Sequence, residues 1–461
     1  MKTTSDSGFT PSLFISAIVA ALAGMLFGFD TAVIAGVERT LANIYHLSEW
    51  GHGFTMSIAL IGTMMGAIFS SIPGDKLGRR DSLKITGMLF LVSAIGCAIA
   101  WDWYSLLFFR FIGGIAIGAA SVLAPMYIAE IAPAAWRGRL VMCFQINIVG
   151  GILLAYLSNY IVDMIGFDVN TMEWRVKLGV EAFPSLLFFV LLYFIPRSPR
   201  WLVKSGLTDE AKQTLAKIGE PNPEEELEAI RKSLFDDEQL RSASLMRRAY
   251  MFPIILAFTI AMFNQLSGIN GILYYLNSIF EEAGFGKVSS AGQAVIIGAT
   301  NLVFTLIAMT LIDRFGRKTL LLIGAVGTSL ALAATAWIFF ADAHKDLLVY
   351  ALVVYIAFFA LSQGAVIWVY ISEIFPNSVR AKGQSFGSAT HWVFAALVAQ
   401  FLPLAFKFST CLPFVFFFAM TVIQFFVVLF VFPETKGLPL EEIQKKMAGA
   451  IRPCTPTKRR S

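Results

Sequence analysis

Twelve apolar runs, most of them about 20 residues long, occupy the greater part of this chain: near 13–37, 54–72, 84–101, 104–128, 140–162, 178–195, 251–280, 291–312, 319–341, 347–371, 383–405 and 412–432. A bilayer core about 30 Å thick is crossed by about 20 helical residues rising about 1.5 Å each, so each run is read as one membrane-spanning helix. The expected fold is an all-α membrane protein with twelve transmembrane helices. Composition points the same way, because a soluble globule could not hide the apolar surface of a chain that is 57% hydrophobic, 15% charged and carries 42 Phe. The first run is too long for the core of a signal peptide and is followed by the other runs, so it reads as an anchor that is not removed.

Loop charge gives the expected orientation. Only six of the 36 Lys and Arg fall in loops after odd-numbered runs: Arg39, Arg175, Lys177, Lys287, Lys345 and Lys407. Loops after even-numbered runs and the tail hold most of the rest, which places both termini in the cytoplasm by the positive-inside rule. Short external loops fit a bacterial inner membrane. The confinement of basic residues to short loops also argues against nucleic acid as a partner, despite a net charge of +5. Cys97, Cys143 and Cys411 lie inside apolar runs and Cys454 in the basic tail, so neither metal nor disulfide spacing arises. No nucleophile, phosphate loop or zinc motif sits in a suitable context, so no enzyme, cofactor or metal site is expected.

The chain repeats itself. Asp75-Lys-Leu-Gly-Arg-Arg80 recurs as Asp313-Arg-Phe-Gly-Arg-Lys318, and Glu130-x-x-Pro133-x-x-x-Arg137 recurs as Glu373-x-x-Pro376-x-x-x-Arg380. Arg-Ser-Pro-Arg after the sixth run is mirrored only loosely by Glu-Thr-Lys-Gly after the twelfth. A long polar insert separates the copies. The expected organisation is an N-terminal six-helix half over 1–195, a cytoplasmic linker with short helices over 196–250, a C-terminal six-helix half over 251–435 and a cytoplasmic tail over 436–461. Duplicated six-helix halves with a substrate bound between them are a known transporter architecture.

Two sets of polar residues interrupt the runs. Asp30 lies in the first, where a carboxylate costs several kcal/mol unless it is paired, protonated or facing water. Counting along the helices puts Asp30 roughly 10 Å and Arg110, in the fourth run, roughly 9 Å below the outer edge. They share a level. An arginine partner favours the charged carboxylate and burial the neutral acid, so access of water and substrate could decide whether a proton stays on Asp30. A fixed structural ion pair is the alternative. The seventh run holds Asn264, Gln265, Ser267, Asn270, Tyr274 and Asn277, with Gly268 and Gly271 between them. Asn270, Tyr274 and Asn277 share a helical face, and unwinding at the glycines would bring Gln265 toward the same cavity. Carboxamides both donate and accept, which suits sugar hydroxyls. Hydrogen bonding between helices is the plainer role for any one of them.

Gly28-Phe-Asp-Thr-Ala-Val-Ile-Ala-Gly36, Gly74-Asp-Lys-Leu-Gly-Arg-Arg80, Arg110-Phe-Ile-Gly-Gly114, Tyr127-Ile-Ala-Glu-Ile-Ala-Pro133 with Arg137-Gly138, and Pro196-Arg-Ser-Pro-Arg200 stand in the first half. Gln265-Leu-Ser-Gly-Ile-Asn270, Trp368 with Ser372-Glu-Ile-Phe-Pro376, and Pro433-Glu-Thr-Lys-Gly437 stand in the second. With these motifs the chain resembles the sugar porters of the major facilitator superfamily, from the first run through Leu438. The resemblance implies the major facilitator fold. It implies a secondary active transporter that imports a monosaccharide, hexose or pentose, by proton symport through alternating access. Asp30 with Arg110 is the implied proton-coupling pair, since proton-coupled porters carry this Asp and Arg whereas facilitative relatives have an uncharged residue. The implied sugar contacts are Gln145, Gln265, Asn270, Tyr274, Asn301, Trp368 and Trp392. Asn264 and His391 touch the same expected pocket as departures: close relatives have a second Gln at the first position, and glucose and xylose carriers have Asn or Gln at the second. Histidine there also occurs in fructose carriers.

The loops expected to be cytoplasmic carry Arg79, Arg80, Glu130, Arg137, Arg314, Arg317, Glu373, Arg380 and Glu434 at matched positions in both halves. Solvated loop charge is one reading. The other is a gate, in which ion pairs between helices close the inner side when the carrier faces outward and part when it faces inward. Arg197 stands where the family usually has an acid, which predicts added positive charge and a weaker gate. A facilitative uniporter with the same pocket, a non-transporting sugar sensor and a polyol or organic-acid carrier remain as alternatives. The expected partners are a monosaccharide, protons and the lipid bilayer, with the chain acting as a monomer.

Overall fold

The computed structural model describes residues 10–240, 245–376 and 379–436. Both termini and the tail beyond 436 lie outside the described residues. Every regular element among them is helical. Among the described residues, eleven helical stretches are long and apolar enough to cross a membrane. The sixth crossing is shared by two shorter pieces, Trp174–Gly179 and Ala182–Leu191, and the intervening Val180 and Glu181 keep helical dihedrals. Twelve crossings result.

Local chemistry sets several ends. Ser48 accepts from the backbone N–H of Gly51 to open the second span, Glu49–Phe69, and a reciprocal Asp102–Ser105 capping box opens the fourth, Trp103–Ile131. The fifth helix, Ala134–Ile165, starts earlier than the apolar run 140–162 indicates. Pro133 explains the boundary, because the residue before a proline is pushed out of the helical region, and Ala132 sits at φ −85° and ψ 129°.

Two spans break in mid-membrane. The seventh is three helices, Met251–Leu266, Ile269–Tyr274 and Leu276–Glu282, and its first break falls at Gly268 with φ +94°, a value that favours glycine. The tenth, continuous as an apolar run, divides into Leu348–Leu361 and Gln363–Ile374 at Ser362, whose φ of −121° and ψ of −90° are not helical. The Ser362 hydroxyl donates to the Phe358 carbonyl at 2.6 Å, so a side chain helps satisfy the interrupted ladder.

Within the first half, the first span, Pro11–Val33, lies backbone to backbone against the fifth. A Cβ on Gly28 would fall 1.9 Å from the Ile148 oxygen, and one on Gly151 2.1 Å from the Met25 oxygen. Between the halves, polar contacts gather at the end opposite the Arg79 and Arg317 loops. Arg39 reaches Glu281 at 3.1 Å and Glu282 at 3.0 Å, while Lys287 reaches Glu173 at 2.6 Å and Asp163 at 3.6 Å. Ser278 donates to Glu38, and Gln400 bonds the Trp50 carbonyl at 3.0 Å and the Ser57 hydroxyl at 2.8 Å. This end is drawn shut.

Candidate functional site

The first and fourth spans bring Asp30 and Arg110 together in the bundle, each only 2% exposed, with Arg110 Nη1 donating to Asp30 Oδ1. Asp30 Oδ2 and Arg110 Nε have no hydrogen-bond partner among the described residues. Glu181, buried in the sixth span, and Tyr274, buried in the broken seventh, both lie within electrostatic range of the pair. Two buried carboxyls within range of one guanidinium cannot both ionise without leaving net charge buried, so the cluster has the makings of a proton carrier. Glu181 was missed in the sequence, although a carboxylate inside an apolar run is the same signal that singled out Asp30.

Around the Gly268 break, Gln265 Nε2 lies 3.0 Å from His391 Nε2 and 3.2 Å from Asn264 Oδ1. The His391 ring adjoins both Trp368, at 5.1 Å between centroids, and Trp392, at 4.9 Å. Phe27 of the first half meets Trp392 at 5.7 Å, so the aromatic group lies where the halves face each other. Gln265, His391, Trp368 and Trp392 therefore form one surface. Its buried Gln265 Oε1 and Trp392 Nε1, and Asn277 Oδ1 on the same span, have no hydrogen-bond partner among the described residues. A buried polar atom without a partner costs about 1–3 kcal/mol, which a polyhydroxylated ligand can offset. Asn301 and Tyr274 are buried, and Gln145 and Asn270 half-buried. Asn264 turns toward the tenth span, donating to the Gln363 carbonyl at 3.4 Å.

The charged loops form two copies of one motif. Arg79 Nε bonds Glu130 at 3.0 Å, and Ser198 bonds the other oxygen of Glu130 at 2.5 Å; Arg317 bonds Glu373 at 2.9 Å, and Thr435 bonds its other oxygen at 2.6 Å. The loose sequence match after the sixth and twelfth spans is thus a close structural one. Each pair stays within its own half. Arg80 reaches the Ile195 carbonyl and Asp81, Arg380 the Phe375 carbonyl, and Arg137 and Arg314 are exposed. Glu434 accepts from the backbone N–H of Arg317 at 2.9 Å and of Lys318 at 3.1 Å. Burial alone would raise its carboxyl, but these donors and the N–H groups of Lys436 and Thr435 outweigh that and hold it below the ordinary 4.5. Arg197 faces Asp81 at 3.2 Å and Glu210 at 3.6 Å, and Asp81 also pairs with Arg80 and Lys84, so three cations gather around that one carboxylate.

Comparison with known proteins places this architecture. The family described as Sugar (and other) transporter matches residues 16–447. The chain belongs to this family, the sugar porters of the major facilitator superfamily. The transporter is 35% identical to the D-xylose-proton symporter of Escherichia coli over 94% of its own length and 95% of that protein. It is also 35% identical to the arabinose-proton symporter of Bacillus subtilis, over 92% and 93%. Its fold matches the inward open conformation of the E. coli xylose transporter XylE with a TM-score of 0.85 at 34% identity, covering 94% of this chain and 99% of that one.

Proposed function

We propose that this sugar porter imports a monosaccharide, hexose or pentose, together with protons by alternating access. The observation that carries the reading is the buried Asp30–Arg110 pair, whose Asp30 lies on the span whose Phe27 meets Trp392 of the surface formed with Gln265, His391 and Trp368. The two relatives named for proton symport of pentoses support it. Tyr274, on the span that carries Gln265 and within electrostatic range of the pair, offers a route by which sugar binding alters the surroundings of the carboxyl.

The concentration of Lys and Arg in these loops supports a cytoplasmic position for the Arg79 and Arg317 end and for both termini, in a bacterial inner membrane. The end shut by Lys287, Arg39, Glu38 and Gln400 is then external, and the likeness to the inward open conformation of XylE supports an inward-facing state. Protonation of the Asp30 cluster and sugar binding together favour exchange between the two faces; release of the sugar and proton inside, and reopening outside, complete the cycle. The Arg79–Glu130 and Arg317–Glu373 pairs, formed within each half, brace the ends of the spans, and the chain works as a monomer in lipid.

Uptake of radiolabelled D-xylose, arabinose, D-glucose and D-fructose into proteoliposomes, with and without an inward proton gradient, tests this reading. Accumulation of at least one sugar that collapses with a protonophore is expected. Equilibration without accumulation makes the protein a uniporter, and no uptake of any sugar overturns the assignment.

A further inference from the structure

A row of buried amides runs from the proposed sugar surface to the twelfth span, Leu412–Val431, and its far end lies behind that surface. Gln424, 2% exposed in a helix that is apolar but for it and Thr421, accepts through Oε1 from Gln363 Nε2 at 3.0 Å. Gln363, 1% exposed, is the first residue after the break in the tenth span, and its carbonyl accepts from Asn264 Nδ2 at 3.4 Å. That bond fixes which end of the Asn264 amide faces Gln265, so Asn264 Oδ1 accepts from Gln265 Nε2 at 3.2 Å. The same Gln265 nitrogen lies 3.0 Å from His391 Nε2. With both protons of Nε2 directed at protein acceptors, Gln265 Oε1 is left buried with no hydrogen-bond partner among the described residues.

We propose that Gln424 and Gln363 are positioning residues for the sugar site: through Asn264 they hold Gln265 with its oxygen toward the substrate, so that this position reads a hydroxyl as a donor. The inference rests on the monosaccharide reading above and adds two residues that do not touch the sugar. Each link depends on the one before. If Gln363 is released from Gln424, its carbonyl beside the Ser362 break is free to move, Asn264 is free to flip, and Gln265 is then free to present its NH2 instead. A hydrogen-bonding site that loses its acceptor discriminates against exactly one hydroxyl rather than against the sugar as a whole.

The test is calorimetric titration of the purified full-length protein with D-xylose, arabinose and D-glucose, and then with single-deoxy analogues of whichever binds tightest. The hydroxyl read by Gln265 is the one whose removal weakens binding to wild type and leaves binding to Gln265→Ala unchanged. Gln424→Met, which keeps the length and removes the acceptor, is expected to weaken binding of the parent sugar about tenfold and to leave that deoxy analogue unaffected. Gln424→Glu, which keeps an oxygen for Gln363 Nε2, is expected to restore the wild-type preference. Equal losses for parent and analogue, or wild-type affinities throughout, overturn the proposal while the sugar reading stands. If Gln424→Met does not purify as a folded protein, Gln363→Met carries the same comparison. No binding of any monosaccharide by wild type defeats the underlying reading as well.

Discussion

Replacing Gly53 by alanine should force the shut end of the transporter apart. Gly53, in the second span, faces the eleventh span across the boundary between the halves, and a Cβ there would lie 2.0 Å from the Gln400 oxygen, 2.8 Å from its carbonyl carbon and 3.1 Å from its Cα. Carbon–oxygen contacts close at about 3.3 Å, so the two spans must separate by about 1.3 Å. No rotamer change relieves this, because the obstructing atoms are backbone. The Gln400 side chain also bonds Trp50 at 3.0 Å and Ser57 at 2.8 Å, contacts that the same displacement strains. Overpacking of this kind costs about 1–3 kcal/mol, and only conformations with this end shut bear it. The equilibrium should therefore move about 5- to 150-fold toward conformations with this end parted. Spin labels at Trp101 and Phe408, 73% and 76% exposed on the two halves, report the separation in a background lacking Cys97, Cys143, Cys411 and Cys454. Gly150→Ala is the control, since its Cβ meets nothing within 4 Å. A long-distance population that grows in Gly53→Ala and not in the control is expected. Identical distance distributions in all three proteins would refute the reasoning.

His391→Asn should change the ratio of fructose to glucose transport several-fold, because the imidazole that Gln265 meets at 3.0 Å is replaced by a smaller amide; an unchanged ranking in competition uptake would make His391 a substitute for the amide only. Glu434→Gln should destabilise the folded protein by about 1 kcal/mol at neutral pH, since an amide leaves fewer oxygen lone pairs for the four backbone donors. Because the folded carboxyl is held below 4.5, its contribution is complete above that pH and is lost as pH falls through the lower folded value. Thermal unfolding should show the wild-type advantage shrinking only below about pH 4.5, and a difference that is constant from about pH 7 to about pH 3 would contradict it.

Much of this architecture was legible from the chain because a membrane imposes simple rules. Run length gives the spans, and the matched Arg79/Arg317 and Glu130/Glu373 positions give the repeat, which the structure extends to Ser198 and Thr435 through their bonds to the two glutamates. The Asp30–Arg110 approach followed from counting along two antiparallel helices. What escaped were features whose cause lies between elements. The Ser362 break is invisible in a continuous apolar run, and nothing in sequence separation links Gln424 to Gln363 or Lys287 to Glu173. Some signals were present and unused. Glu181 and Gln424 interrupt apolar runs as plainly as Asp30 does, and Arg39, Lys177 and Lys287 are among the few basic residues in loops that have little positive charge, each beside carboxylates in the fold.

The central claim is that sugar and proton cross together through Asp30. The most direct measurement is internal pH in proteoliposomes that carry a trapped pH dye and receive sugar outside with no imposed gradient. Wild type should acidify the interior as sugar enters, and Asp30→Asn should exchange labelled sugar across the membrane while producing no acidification. Sugar entry into wild-type vesicles without acidification, or acidification by Asp30→Asn equal to wild type, would contradict the account.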